Sequence, residues 1–307
     1  MQYTRGMEKD LPIGDKSHIG ASARKSKKEF SDFSRSTLPI KHWSHSSLMA
    51  FLRNPLAWYK RYVELIYDTP YSPSAIIGQA GHKALQHFYS GIEKQGAIDL
   101  GLEYLRDVGD FEINFGRARS RLAKKKKRAS MEREYLQAIS FYLARPPKYK
   151  VLATESVGIA KVDGLPLPIK AVSDLVVESR TIRGAVDIVD HKFVDYFSKE
   201  REKKALFILQ ALFNYYTVRE KFQRPIHRFL VWECKKTRNA DGSSQMRRYV
   251  IDFNTCRDEF TLFHRLLSDA TKEISRPRAW LPNPSDLFEG ENSFDIYRLG
   301  LVEPDRE

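Results

Sequence analysis

Apolar and polar positions change period along the chain. From Ser44 to about Pro146 the apolar residues recur at helical spacing, and from Tyr149 to Phe193 they alternate or run together as strands do. In SHSSLMAFLRNPLAWYKRYV, Ser44 and Ser46 are N-cap candidates ahead of Leu48, Phe51 and Leu52, and Asn54 with Pro55 restarts a second short helix. The cluster of Trp58, Tyr59 and Tyr62 reads as packing between helices, with base stacking as the alternative. After a loop at Thr69 to Ser74, IIGQAGHKALQHFY predicts a helix with Ile77, Ala84, Leu85 and Phe88 inward. Gly78 and His82 stack one turn apart on it, and the glycine admits a second backbone or a phosphate chain beside the histidine. Gln95 to Pro146 also reads as helical. Within it the basic run Lys124 to Arg128 reads as a solvated surface or loop, and Met131 to Leu143 as a cleaner amphipathic helix.

Three strands follow in a meander: YKVLATESVGIAKV, LPLPIKAVSDLVVE and AVDIVDHKF, with turns marked by Asp163-Gly164 and by Ser179 to Gly184. KEREKKALFILQALFNYYTVREK then predicts a long amphipathic helix whose buried stripe holds Leu206, Phe213 and Thr217 together with the amide of Gln210. IHRFLVWECKK reads as a strand buried on both faces, RRYVIDF as its partner beyond an Asp241-Gly242 turn, and Arg257 to Ile274 as a helix. The tail RAWLPNPSDLFEG is irregular. Residues 1–38 are rich in Ser, Lys and Arg without hydrophobic period and predict a flexible basic arm. Residues 39–147 form a helical region and 148–307 a sheet with flanking helices and tail, and 39–307 are expected to make one compact unit.

Chemistry concentrates in Val172 to Phe193. Asp190 and Lys192, two apart on a strand, share a face at about 7 Å, while His191 turns away and Asp174 sits on the neighbouring strand. Two carboxylates and an ammonium among Val and Ile are costly to bury unless a cation joins them. Lys and Arg outnumber Asp and Glu by 52 to 39, a net charge of +13, which suits a polyanionic partner. The two cysteines, Cys234 and Cys256, match no disulfide, zinc or iron-sulfur spacing. No apolar run has the length of a membrane span, and no signal peptide is evident. The expected compartment is the cytoplasm, the cell's own or that of a phage host. A mitochondrial transit peptide is disfavoured by Glu8, Asp10 and Asp15. A G-x-x-x-x-G-K-[ST] loop is absent, so ATP-driven translocation is not supplied by this chain.

In this order the motifs resemble the RecB-type branch of the PD-(D/E)XK nuclease superfamily. Ser44, Ser46, Leu48 and Phe51 match its S-x-S-x-L-x-x-F helix, Gly78 and His82 its G-x-x-x-H, Asp174 its hairpin aspartate, Asp190 and Lys192 its D-x-K, and Gln210 the glutamine of its Q-x-x-x-Y. The resemblance implies an α/β, restriction-endonuclease-like core of order α-β-β-β-α-β with an N-terminal helical region. It also implies catalytic roles for His82, Asp174, Asp190, Lys192 and Gln210, around Mg2+ or Mn2+. His82, Asp174, Asp190 and the main-chain carbonyl of His191 would hold the ion, and Glu155 would be a further ligand or a cross-strand ion pair. Lys192 would orient water or neutralise phosphate, and Gln210 would hold Lys192 or the phosphate. Ser44, Ser46, Gly78, Lys203 and Tyr215 are the expected nucleic-acid contacts.

Three positions depart from the pattern. Asn214 stands where the glutamine motif has tyrosine, Ala171 stands where many relatives have glycine, and Asn54 and the cysteine-free PNPSDLFEGENSFDIY stand where iron-sulfur members have cysteines. No iron-sulfur cluster is therefore expected. The implied activity is metal-dependent DNA hydrolysis, foremost by an exonuclease of recombination, repair or phage type that threads a single strand. Its partners would be single-stranded DNA or duplex ends, and a recombination or single-strand-binding protein. The alternatives are a structure-specific or restriction-like endonuclease and a catalytically silent nucleic-acid-binding subunit, in which the buried charges would be only an ion-pair network.

Overall fold

Asn54 ends one helix and begins the next. Its side chain accepts from the Ala57 N–H while Pro55 fills the first helical position, where a missing N–H costs nothing. In this computed structural model, which describes residues 38–66 and 70–282, a two-residue strand β1 (Trp43–Ser44) leads into α1 (His45–Arg53) and α2 (Pro55–Tyr62). Ser44, not Ser46, is the cap of α1. Trp58 is fully buried, stacked on Trp43, and Tyr59 stacks on Trp280, so this aromatic cluster is packing.

Next come α3 (Pro73–Tyr89), α4 (Lys94–Asp107) and α5 (Arg121–Ala144). The basic run lies inside α5 and is no loop: Arg128 turns inward, its guanidinium bonding Asp110 and the carbonyls of Leu105 and Val108. Lys125 and Lys126 are exposed, while Lys124 lies over the Phe115 ring.

The meander is β2 (Val151–Ala160), β3 (Ile169–Glu178) and β4 (Val186–Val194). Asp163-Gly164 does turn the chain, with Gly164 at φ +80, but inside an eight-residue connection and not in a two-residue hairpin. Then follow α6 (Lys203–Phe222), β5 (Ile226–Lys235), β6 (Met246–Asp252) and α7 (Arg257–Ile274). The sheet runs β1-β3-β4-β5-β6, with β2 on the other edge of β3. β4 and β5 are parallel, which explains the near-continuous apolar reading of both.

Helices cover both faces. Alternate residues of β5 separate them: Trp232 and Cys234 pack with α3 and α5, around Ile76, Ala80, Tyr135 and Ile139, whereas Glu233 faces the side of Phe207 on α6. Two glycines set the spacing. A side chain at Gly81 of α3 would strike the Phe193 ring at 2.3 Å, and one at Gly158 of β2 would meet Thr217 of α6, including its carbonyl oxygen at 3.0 Å. Thus α3 presses on β4, and α6 on β2.

One feature of the pairing makes room for chemistry. β3 holds β2 along its whole length, but its other edge pairs β1 at Ile169 and Lys170 and β4 only from Leu175 onward. Between these, residues 171–174 face a split in the sheet.

The expected basic arm and the tail beyond Pro282 lie outside the described residues, Leu38 excepted. Among the described residues no helix is long and apolar enough to cross a membrane.

Candidate active site

Asp174 stands at the split, opposite the point where β4 leaves β3. Its Oδ2 accepts the His191 backbone N–H at 2.7 Å and lies 3.1 Å from His82 Nδ1. His82 reaches it because Gly81 lets α3 sit directly on Phe193. The close-packed glycine is therefore Gly81; Gly78, the one in the motif, has open space where a side chain would be.

On β4, Asp190 and Lys192 share a face as their spacing requires. Lys192 Nζ is 2.8 Å from Asp190 Oδ2, and the Gln210 amide of α6 donates to Asp190 Oδ1 at 2.6 Å. Gln210 thus holds the aspartate, where the sequence reading has it hold Lys192 or the phosphate. His191 points the other way, bonded at 2.8 Å to Tyr142 in the core, yet its Nδ1 still lies 3.5 Å from Asp174.

Glu155 completes the group. It falls opposite Asp174, between the register pairs Thr154–Leu175 and Ser156–Ser173, and takes φ +45, a left-handed conformation that glutamate rarely adopts. Ligand atoms of His82, Glu155 and Asp174 all lie within 4.8 Å of one another. Imidazole nitrogen with carboxylate oxygens suits a divalent transition metal, and oxygen-rich completion by water suits Mg2+.

Electrostatics favour a cation here. Burial pushes the Glu155 carboxyl up, and neighbouring Asp174 adds to the rise. Burial also raises Asp190; Lys192 pulls it down without cancelling the effect, and Asp174 pushes it further up. For Asp174 burial is outweighed by His82 and His191, which hold it well below the usual carboxylate range. His82 is drawn down by burial but raised overall by Asp174, and Lys192 is raised overall because Asp190 and Asp174 outweigh its burial. Glu155, Asp174 and Asp190 stand together, and the acids raise one another's carboxyls, a repulsion that a bound cation would relieve.

Other expected contacts fall out differently. Ser44 and Ser46 hold each other's hydroxyls at 3.1 Å beside the site-facing start of α1. Lys203, expected at nucleic acid, is only 2% exposed, tied to Glu200 and lying over the Tyr249 ring; burial removes it from a backbone's reach. Tyr215 packs against Phe253 and Phe260 between α6 and α7. Leu206, expected in the buried stripe, is 52% exposed.

Two residues at the site gave little sequence signal. Asn214, at the tyrosine position, is buried, accepts from Ser173 at 2.6 Å and donates to the Gln210 carbonyl, so it ties α6 to the strand beside Asp174. His45 shares a cleft with Lys192; burial first, then the lysine's charge, push its imidazole down to about 4. Its place inside the S-x-S motif was the sole hint.

The profile of the PD-(D/E)XK nuclease superfamily matches residues 42–287, so the chain belongs to that superfamily. Its fold is that of this hydrolytic nuclease family, which acts on DNA and whose members generally use divalent metals. Among solved structures the chain is similar to a protein from Eubacterium rectale described provisionally as an exonuclease, at 10% identity and TM-score 0.50, covering 93% of this chain and all of the other. A match to SSO0001 has 13% identity, TM-score 0.29, and covers 74% of this chain and 82% of the other. No curated protein matches the chain.

Proposed function

We propose that this chain is a divalent-metal-dependent deoxyribonuclease of the RecB-type branch, acting as an exonuclease on DNA that presents a single strand. The observation that carries the reading is a pair of aspartates at the split in the sheet, the partly buried Asp174 beside His82 and the buried Asp190 beside Lys192 and Gln210. The exonuclease mode rests on the branch resemblance, and the Eubacterium rectale protein bears the same description.

His82, Glu155, Asp174 and Asp190, with the main-chain carbonyl of His191, are the donors that would hold Mg2+ or Mn2+. Such an ion supplies charge neutralisation and a hydroxide-like water near neutral pH. Lys192, whose proton is held by the flanking acids, acts as a donor and not as a base: it orients the attacking water and neutralises a phosphoryl oxygen. Gln210 fixes the Asp190 carboxylate, and Asn214 fixes the helix that carries Gln210. Gly78 and the Ser44–Ser46 pair are the proposed phosphate contacts. An enzyme of this kind would serve recombination, repair or phage DNA metabolism.

The test is digestion of end-labelled linear and circular DNA, single- and double-stranded, in Mg2+ or Mn2+, by wild type, Lys192→Ala and Asp190→Asn. Loss of linear DNA alone is the expected result, with both variants slowed about 100-fold or more. Cut circles would make it an endonuclease, and salt-sensitive binding without cutting would make it a silent subunit. Activity surviving in both variants removes the proposed site.

A further inference from the structure

Beside Lys192 and Gln210, on the side of the sheet facing α6, opens a cleft of about 430 Å³. Its apolar walls are Val194, Leu206 and Phe207, and its polar wall is Ser198 with the buried carboxylate of Glu233. Ser198 is fixed there, since its N–H lies 3.2 Å from Glu233 Oε1 and its hydroxyl donates to the same carboxylate. Tyr196, between the cleft-lining Val194 and Ser198 in sequence, is 84% exposed. An aromatic ring left in water, and a cleft-lining leucine, Leu206, that is 52% exposed, have no packing role that explains them.

We infer that this cleft receives one unpaired nucleobase next to the phosphate under attack, and that Tyr196 at its rim stacks on the strand. Four features support it. The cleft shares Lys192 and Gln210 with the proposed site, so its occupant lies within one nucleotide of the reacting phosphate. Its volume is at the small end of ligand sites, about 300–1,000 Å³, and is ample for one base. Apolar walls with polar groups on one side match a base, which has apolar faces and a polar edge. The chain's charge of +13 brings a polyanion to it. The inference rests on the nuclease reading and narrows its substrate to DNA whose end is single-stranded or frayed.

Its test uses binding, so that the two readings can fail separately. Fluorescein-labelled single strands carrying one abasic residue at successive positions are titrated with the full-length protein in EDTA at low salt, followed by anisotropy. The expected result is that one position, and no other, weakens wild-type binding about tenfold. Leu206→Glu and Tyr196→Ala, both exposed positions outside the catalytic set, are expected to bind the intact strand about as weakly as wild type binds that abasic strand. Equal binding at every abasic position, or variants that retain the discrimination, overturns the pocket. Cleavage by wild type in Mg2+ and Mn2+ is scored in parallel: failure there, with discrimination intact, sinks the nuclease reading and leaves a base-binding cleft.

Discussion

Glu155 and His45 show what single side chains contribute. Glu155 keeps a left-handed backbone beside Asp174 although an ordinary extended residue would continue the strand, and the strain is tolerated because it brings a third ligand atom to His82 and Asp174. Glu155→Gln is expected to weaken Mn2+ binding about 10–100-fold by isothermal titration calorimetry while leaving the melting temperature without metal unchanged or raised, since it removes a half-buried carboxyl that desolvation and Asp174 disfavour in its charged form. His45 offers a pH signature. Its folded-state value of about 4 lies below the ordinary 6.5, so the unfolded chain takes up the proton first as pH falls. The stability it contributes is complete above pH 6.5 and is lost as pH falls toward 4. Thermal melts across that window should show wild type losing more stability than His45→Gln; identical slopes would remove the assignment.

At the scale of elements, the site is made by a strand that changes partners and by helices that sit unusually close. β3 pairs β1 at one end and β4 at the other, and Asp174 stands in the stretch between them, where that edge has no partner. Helix α6 presses on β2 at Gly158 and delivers Gln210 and Asn214 to the same region. Gly158→Ala must push α6 outward, since the obstacle includes the Thr217 carbonyl. The expected cost is about 1–3 kcal/mol in urea unfolding, with nuclease activity falling alongside it. A variant as stable as wild type would mean that the helix is free to move. The order of these elements was legible from period alone, because the strands and helices carry their patterns locally. The exposure of Leu206 and the inward turn of Arg128 were not, because a helical stripe does not say where its neighbour stops.

For the molecule as a whole, the surplus of basic residues predicts binding governed by phosphate contacts. Affinity for a single strand in EDTA should fall about tenfold or more between 50 and 200 mM salt, as counterion release requires. A chain beginning at Leu38, without the Ser-, Lys- and Arg-rich segment, should show a shallower slope in the same titration, followed by anisotropy. Equal slopes would assign all the contacts to the folded unit. The reading of Lys203 as a contact failed for a reason at this scale: charge on a sequence does not reveal which lysine an acid and an aromatic ring have already enclosed.

The sequence by itself determined the alternation of helices and strands, the pairing of Asp190 with Lys192 on one face, and the set of motifs that place the chain among nucleases, because each depends on spacing within a few residues. Only the tertiary structure decided that Glu155 joins His82 and Asp174, that Gln210 grips Asp190, that Asn214 braces the helix beneath, and that His45 stands beside Lys192. Contacts such as Glu155 with Asp174, Gln210 with Asp190 and His45 with Lys192 join residues 19 to 147 positions apart. They exist because β4 parts from β3 and glycines let α3 and α6 close in, events of packing that no local period records.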